Sequence, residues 1–469
     1  MNAQQFTASA LLMRVLIWRW LVLALLTAGL YLLLVPTPRA RADTAPYLVK
    51  DIHPSGDCHC KNFTNVNGTL FFAADDGVHG VELWKSDGTL DGTKMVKDIK
   101  PGARGSNPLE FTNVNGTLFF AANDGAHGQE LWKSDGAPKG TVMVKNISPS
   151  TGSKLYALTN VNGTLFFGAD DGAHGGELWK SNGTANGTVM VKDINPSGSS
   201  ITRAVVPRHN FANVNGTLFF EANDGVHNHQ LWKSNGTASG TVMVKIINPS
   251  GYAWAVNFTN VNGTLFFGAN DGAHGSELWK SKGAAGNTMM VKDISRGSTN
   301  SSPHALVNAQ GTLFFFTNDG IHGEGLWKSD GSKKGTVLLK KLVTYDFPQP
   351  VNVNQLAYFA ASDGAQGVEL WKSDGTPGGT VLVRDINFFG DSYPRWLTNV
   401  NGELFFAASD NVYGNELWRS DGTADGTVMV EDINKATHSN PWLLTNVNGT
   451  LFFSADDGIH GYEVWAYKP

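Results

Sequence analysis

The chain has 469 residues, with 36 basic and 41 acidic side chains, a net charge of −5 and 41 % hydrophobic residues. No basic stripe stands out, which argues against nucleic acid as a partner, because such binding rests on neutralising phosphates. Two cysteines in a chain this long exclude a disulfide-stapled miniprotein, so stability must come from packing.

Residues 1–42 read as a secretory leader. Arg14 and Arg19 give it a positive start, an apolar run extends from Leu21 to Val35, and Pro36 ends that run. Ala40-Arg41-Ala42 supplies the small-x-small pattern of a cleavage site. The apolar core is shorter than the roughly 20 residues of a spanning helix, so cleavage is expected rather than anchoring. Residues 43–469 then form a single secreted or cell-surface domain, with no later span. Losing the leader's four arginines leaves 32 basic and 41 acidic side chains, a net charge of −9. Cys58 and Cys60 flank His59, a spacing that matches no zinc pattern and suits a loop staple or free thiols.

The chain beyond the leader is a repeat. The tryptophan of Glu-Leu-Trp recurs at Trp84, Trp132, Trp179, Trp232, Trp279, Trp327, Trp371, Trp418 and Trp465, spaced by 44 to 53 residues. One unit predicts four short strands: Glu110 to Asn115, Thr117 to Ala122, Glu130 to Ser134 and Thr141 to Ile147. Asn115-Gly116 favours a tight hairpin turn between the first two. The second strand is apolar on both faces, as a covered central strand should be. Four strands in about 47 residues match the blade of a propeller.

The chain ends are displaced within this pattern. Tyr47 to Ile52 is a fourth strand with no first three before it, and Glu463 to Tyr467 is a third strand with no fourth after it. Pairing the two closes a ring and removes both exposed edges. The expectation is therefore an all-β protein, a nine-bladed propeller of four-stranded blades. An eight-bladed ring with a peripheral unit and an open superhelix are the alternatives, because propellers usually carry four to eight blades. The seventh unit strays most, with Asn354-Gln355 in place of Asn-Gly.

The repeated side chains read as architecture. Nine tryptophans at one position suit inter-blade packing. An acid in the turn before the third strand recurs in all nine units, from Asp76 to Asp457. A histidine follows three residues later in seven of them, and in seven a glutamate stands six residues after the acid. Carboxylates around a glycine turn could hold Ca²⁺, but the loop lacks the spaced oxygen series of a calcium site, and Asp before Gly is an ordinary turn residue. No cofactor or metal is expected, and no catalytic constellation stands out.

Recognition is expected where the units differ, in the connections between blades. The candidates are Arg203, Arg208, Trp254, Tyr345, Phe347, Phe388, Phe389, Tyr393, Trp396 and Trp442, aromatics being good anchors for a protein or sugar face.

Glu82-Leu83-Trp84-Lys85-Ser86-Asp87-Gly88-Thr89, repeated at 369–376, resembles the ELW-x-x-DGT repeat of secreted or surface bacterial proteins. The resemblance covers nearly the whole chain after the leader. Lys282-Gly283-Ala284, Gly325-Leu326-Trp327 and Glu463-Val464-Trp465 depart from it. It implies export and a repeat scaffold, and it transfers no catalytic residue. The reading from sequence is thus an exported, non-catalytic, monomeric scaffold that binds a protein or carbohydrate ligand. A metal-dependent propeller hydrolase or lyase with a channel site is the alternative, as is a purely structural cell-envelope protein.

Overall fold

The computed structural model describes residues 45–201, 211–345 and 349–469. The leader and three of the recognition candidates, Arg203, Arg208 and Phe347, lie outside the described residues. The rest form nine four-stranded antiparallel sheets around a common axis, a nine-bladed propeller. Blades one to eight run in chain order from Lys61 to Glu431. Blade nine takes three strands from the C-terminal end, Trp442–Val447, Thr450–Asp456 and Tyr462–Tyr467, and its fourth from Tyr47–Lys50. Leu48 pairs with Trp465 and Tyr47 with Ala466. The displaced ends complete one sheet, as their sequence required.

Two sets of contacts join the blades. The first is a closed ring of amides around the axis. Asn113 donates its side-chain N–H to the backbone carbonyl of Asn65 at 3.1 Å, Asn160 to Asn113 at 3.0 Å, and so on round the ring. Asn446 donates to Asn399 at 3.0 Å and Asn65 to Asn446 at 3.2 Å. The same Asn113 side chain accepts the N–H of Gly116 at 2.9 Å, so one residue fixes both its own hairpin and the blade before it. A second amide explains the glycine. Asn67 (φ 51°) lays its side chain where a Cβ on Gly116 (φ 81°) would sit, so the next blade's turn must be glycine.

The second set is apolar. Each second strand buries its run, as in Leu118, Phe119, Phe120, Ala121 and Ala122. Phe120 and Trp132 of blade two pack against Phe71 and Leu83 of blade one, and the same pairing recurs round the ring. The Lys97 ammonium lies 5.8 Å from the Trp132 ring and donates to the Thr141 carbonyl at 2.9 Å. The tryptophans are inter-blade packing.

The fourth strand is shorter than expected, Val142–Lys145 rather than Thr141 to Ile147. Thr141 closes the preceding turn through Ser134 Oγ at 2.8 Å, and the Ile147 N–H bonds a side chain instead of a strand. Blade seven keeps all four strands despite its altered hairpin, where Asn354 (φ 48°) and Gln355 (φ 72°) supply the left-handed turn without glycine. Cys58 and Cys60 are joined in a local disulfide.

Candidate functional site

In an antiparallel blade, the turn from strand two to strand three shares a face with the connection to the next blade. On that face the repeated acids hold the turns together. Asp124 accepts the N–H groups of Ala126 and His127, each at 2.9 Å, and its second oxygen lies 2.7 Å from His127 Nδ1. The pair recurs with each of the seven histidines. Hydrogen bonding and charge from the aspartate raise His79, His174, His274 and His460 above the ordinary histidine value. Among the described residues, no group of three or more His, Cys, Asp or Glu could hold a metal ion.

The repeated glutamates pin the connections. Glu277 is fully buried and accepts from Ile294 N at 2.8 Å, Ser295 N at 3.2 Å and Ser301 Oγ at 2.8 Å. Burial pushes its carboxyl up to about 7, against the pull of those hydrogen bonds. Glu369, Glu416 and Glu463 behave alike. In blade four Gln230 does the same work, accepting from Ile247 N at 2.8 Å and donating to the carbonyls of Asn248 and His227. A neutral amide suffices for the pin.

Blade six breaks the pattern. Gly325 takes the glutamate's place, and the Leu338 side chain fills the space a Cβ there would need. The fourth strand then runs one residue longer, Val337–Lys341, with Lys341 paired to Gly325. The carboxylate has moved to Glu324, partly open to solvent. There it meets two groups that, among the described residues, no other blade brings together. His304 Nε2, at the start of the first strand, is 3.0 Å from Glu324 Oε1 and 3.2 Å from Thr344 Oγ1. Thr344 donates its hydroxyl to Glu324 Oε1 at 2.8 Å and its N–H to Oε2 at 3.2 Å. His304 Nδ1 lies 3.1 Å from the Ser302 carbonyl, which fixes the ring with Nε2 facing the carboxylate. Burial acts to raise the Glu324 carboxyl, but the hydrogen bonds from His304 and Thr344 outweigh it and hold the group below its ordinary value. Seven buried glutamates are pushed up. This one, beside solvent, is held ionised.

Of the aromatics expected from sequence, the described ones in connections, Trp254, Tyr345, Phe388, Phe389 and Tyr393, fall on the same face. Tyr345 follows Thr344 directly and is exposed. The Arg395 guanidinium lies 5.8 Å over the ring of Tyr393. Phe388 and Phe389 project from the same connection as Tyr393. Trp254 stands apart, its ring tilted by 34° against that of Tyr252 with centroids 5.2 Å apart, before blade five. Trp396 and Trp442 lie in first strands, not in connections. At Trp396 a register shift with φ 58° turns the residue outward, whereas Trp442 is half-buried. His304, Glu324 and Thr344 were not singled out from sequence. The signal was present as the departure at Gly325-Leu326-Trp327, where the glutamate of the repeat slips by one position.

No family model matches the chain, and no curated protein matches it. Solved structures do. A puromycin hydrolase is 14 % identical with a TM-score of 0.40, over 88 % of this chain and 61 % of its own. The same enzyme in a complex gives 13 % and 0.36 over 75 % and 58 %, and one of two prolyl endopeptidases 11 % and 0.38 over 76 % and 55 %. This chain thus spans about 55–61 % of the length of those proteins. All of them are hydrolytic enzymes, which corrects the expectation of a non-catalytic scaffold and of a chain that is not an enzyme. At this distance the likeness concerns the propeller alone, and it carries no residue or reaction across.

Proposed function

We propose that the protein is a hydrolase of acyl esters or amides whose acid–base group is His304, Glu324 and Thr344. The observation that supports it is blade six, where the glutamate of the repeat is replaced by glycine and, alone among the described residues, a carboxylate, an imidazole and a hydroxyl converge within 3.2 Å at a solvent-facing edge. Glu324, kept ionised, takes a proton from water. The hydroxide adds to the substrate carbonyl, and collapse of that adduct breaks the bond to the alcohol or amine, which leaves with a proton from the imidazolium of His304; the proton held by Glu324 then passes to His304 across their 3.0 Å contact and restores both groups. Water and the substrate yield a carboxylic acid and an alcohol or amine. Thr344 positions the carboxylate, and Tyr345 and Tyr393 offer apolar faces for the substrate. Membership of the ELW-x-x-DGT repeat family and a secreted or surface location belong to the same proposal.

The test is hydrolysis of p-nitrophenyl esters and aminoacyl p-nitroanilides by the purified chain. General acid–base groups contribute about 10²–10⁴-fold, so Glu324→Gln and His304→Ala should each lower kcat by at least about 100-fold while circular dichroism stays native. Glu277→Gln, a change in a structural pin, should leave the rate as it is. Absence of turnover by the native chain, or rates in Glu324→Gln equal to those in Glu277→Gln, would reject the assignment.

A further inference from the structure

In an antiparallel blade, the hairpin of strands one and two and the turn from strand three to strand four lie on the face opposite the proposed chemistry. On that face the turn after strand three opens on an acid or amide that closes it. Asp135 accepts the Ala137 N–H at 2.8 Å, Asn235 the Thr237 N–H at 3.0 Å and Asp330 the Ser332 N–H at 2.7 Å. Five residues on, the repeat has glycine. The acid's own side chain fills the space a Cβ there would need, as Asp135 does at Gly140 and Asp330 at Gly335.

Blade five exchanges both residues at once. Lys282 stands in the place of the acid and Asn287 in the place of the glycine. Asn287 Oδ1 turns back to accept the N–H groups of Ala284 at 2.9 Å and of Lys282 at 3.3 Å, so an amide from the other end keeps the turn closed. Each exchange compensates the other. What the pair alters is charge, because an ammonium now stands where the other blades put a carboxylate or an amide.

That ammonium borders a cavity of about 380 Å³ between blades five and six. Lys280, Lys282, Asn287 and Thr264 line it, with Met289 and Phe266 as apolar walls. Lys280 is set in place by donating to the Gly331 carbonyl at 2.7 Å, which leaves two of its three N–H groups. Asp330, the carboxylate of the lining, is engaged with its own turn. Lys333 and Lys334 stand exposed in the adjoining turn of blade six. The corresponding turns of blades seven and eight carry Asp374, Asp421 and Asp425 and no lysine, so the positive charge is local to this cavity in a chain of net charge −5.

We propose that this cavity binds a small organic anion, with its phosphate or carboxylate head on Lys280 and Lys282 and its apolar body against Met289 and Phe266. Ammonium groups hold such heads by charge-assisted hydrogen bonds, and the neighbouring lysines add to the attraction at low salt.

Calorimetric titration of the purified chain at low salt tests this, with phenyl phosphate and benzoate as the two anionic heads and benzyl alcohol as the neutral control. At least one anion should bind about tenfold or more tightly than the alcohol, as loss of a charge-assisted contact implies, and the tighter anion names the head. Lys282→Asp with Asn287→Gly restores the pattern of the other blades, so the turn should fold, and it should weaken that binding about tenfold or more. Lys139→Asp, an equal change of charge in the turn of blade two, should leave the affinity within about twofold, since the two turns lie in different blades and the effect is screened. Circular dichroism and a cooperative melt show that each variant keeps the ring. No anion binding by the native chain, equal binding of benzyl alcohol, equal binding by the double variant, or equal loss in Lys139→Asp would each overturn the proposal. The readout is binding on the opposite face, so it stands or falls separately from hydrolysis.

Discussion

Blades five and six are neighbours built to one plan, and they treat the same acidic side chain in opposite ways. In blade five, Glu277 is sealed, its oxygens are taken up by the connection, and burial pushes it up to about 7. In blade six, Glu324 stands one residue earlier in the chain, faces His304 and Thr344, and is held ionised. A slip of one position in a strand exchanges the two faces of the sheet. The difference teaches that this repeat can move a structural carboxylate to a solvent-facing edge while the blade that carries it keeps its four strands.

If so, the apolar interface between the two blades should be as strong as any other. Phe315 of blade six is fully buried with Trp327 against Phe266 and Leu278 of blade five. Phe315→Ala should destabilise the ring by about 3–5 kcal/mol in denaturant unfolding. A loss below about 1 kcal/mol would mean that blade six is loosely held and the comparison is misplaced.

The pins give the next largest effect. Glu277→Ala leaves the Ile294 and Ser295 N–H groups without their acceptor and should cost about 1–3 kcal/mol. Glu277→Gln should not, because Gln230 already makes the equivalent bonds in blade four. The buried glutamates carry raised pKa values in the folded ring. Their contribution is therefore fully present below the unfolded carboxyl value, near 4.5, and is lost as pH rises through about 7. The raised histidines act in the same direction, their contribution being lost above their folded values. The ring should melt at a lower temperature at pH 8 than at pH 5, and each Glu→Gln change should flatten that slope. A melting temperature that climbs from pH 5 to pH 8 would contradict the burial argued for these carboxylates.

The smallest effect belongs to the axis. Asn308 of blade six donates to the Asn260 carbonyl of blade five at 3.2 Å and accepts the Gly311 N–H at 3.0 Å. Asn308→Ala should cost about 1–2 kcal/mol. The same change at Asn260 should cost as much, and a clear inequality would show that the amide ring is not uniform.

The architecture was legible because its signals are local. Asn-Gly, the alternation of short apolar runs and the displaced ends each act over a few residues, and together they specify strands, turns and closure. The candidate chemistry was less legible. Tyr345 and Tyr393 were visible as exceptions to the repeat, but His304 looked like one more first-strand residue and Thr344 like one more loop residue. Their distances in sequence from Glu324 are twenty residues each, and nothing local to either says that they meet.

The order of residues determined that there are nine blades and where the ring must close, since turn chemistry and hydrophobic patterning are properties of short segments. Only the folded ring decided which asparagine of each Asn-Val-Asn-Gly turn reaches the blade beside it and which lies over the neighbouring glycine. The tertiary structure likewise brought His304, Glu324 and Thr344 together, by lengthening one strand where Gly325 leaves room for Leu338. Both outcomes depend on how one sheet is set against the next or one strand against its partner, and that geometry exists only once the sheets have packed.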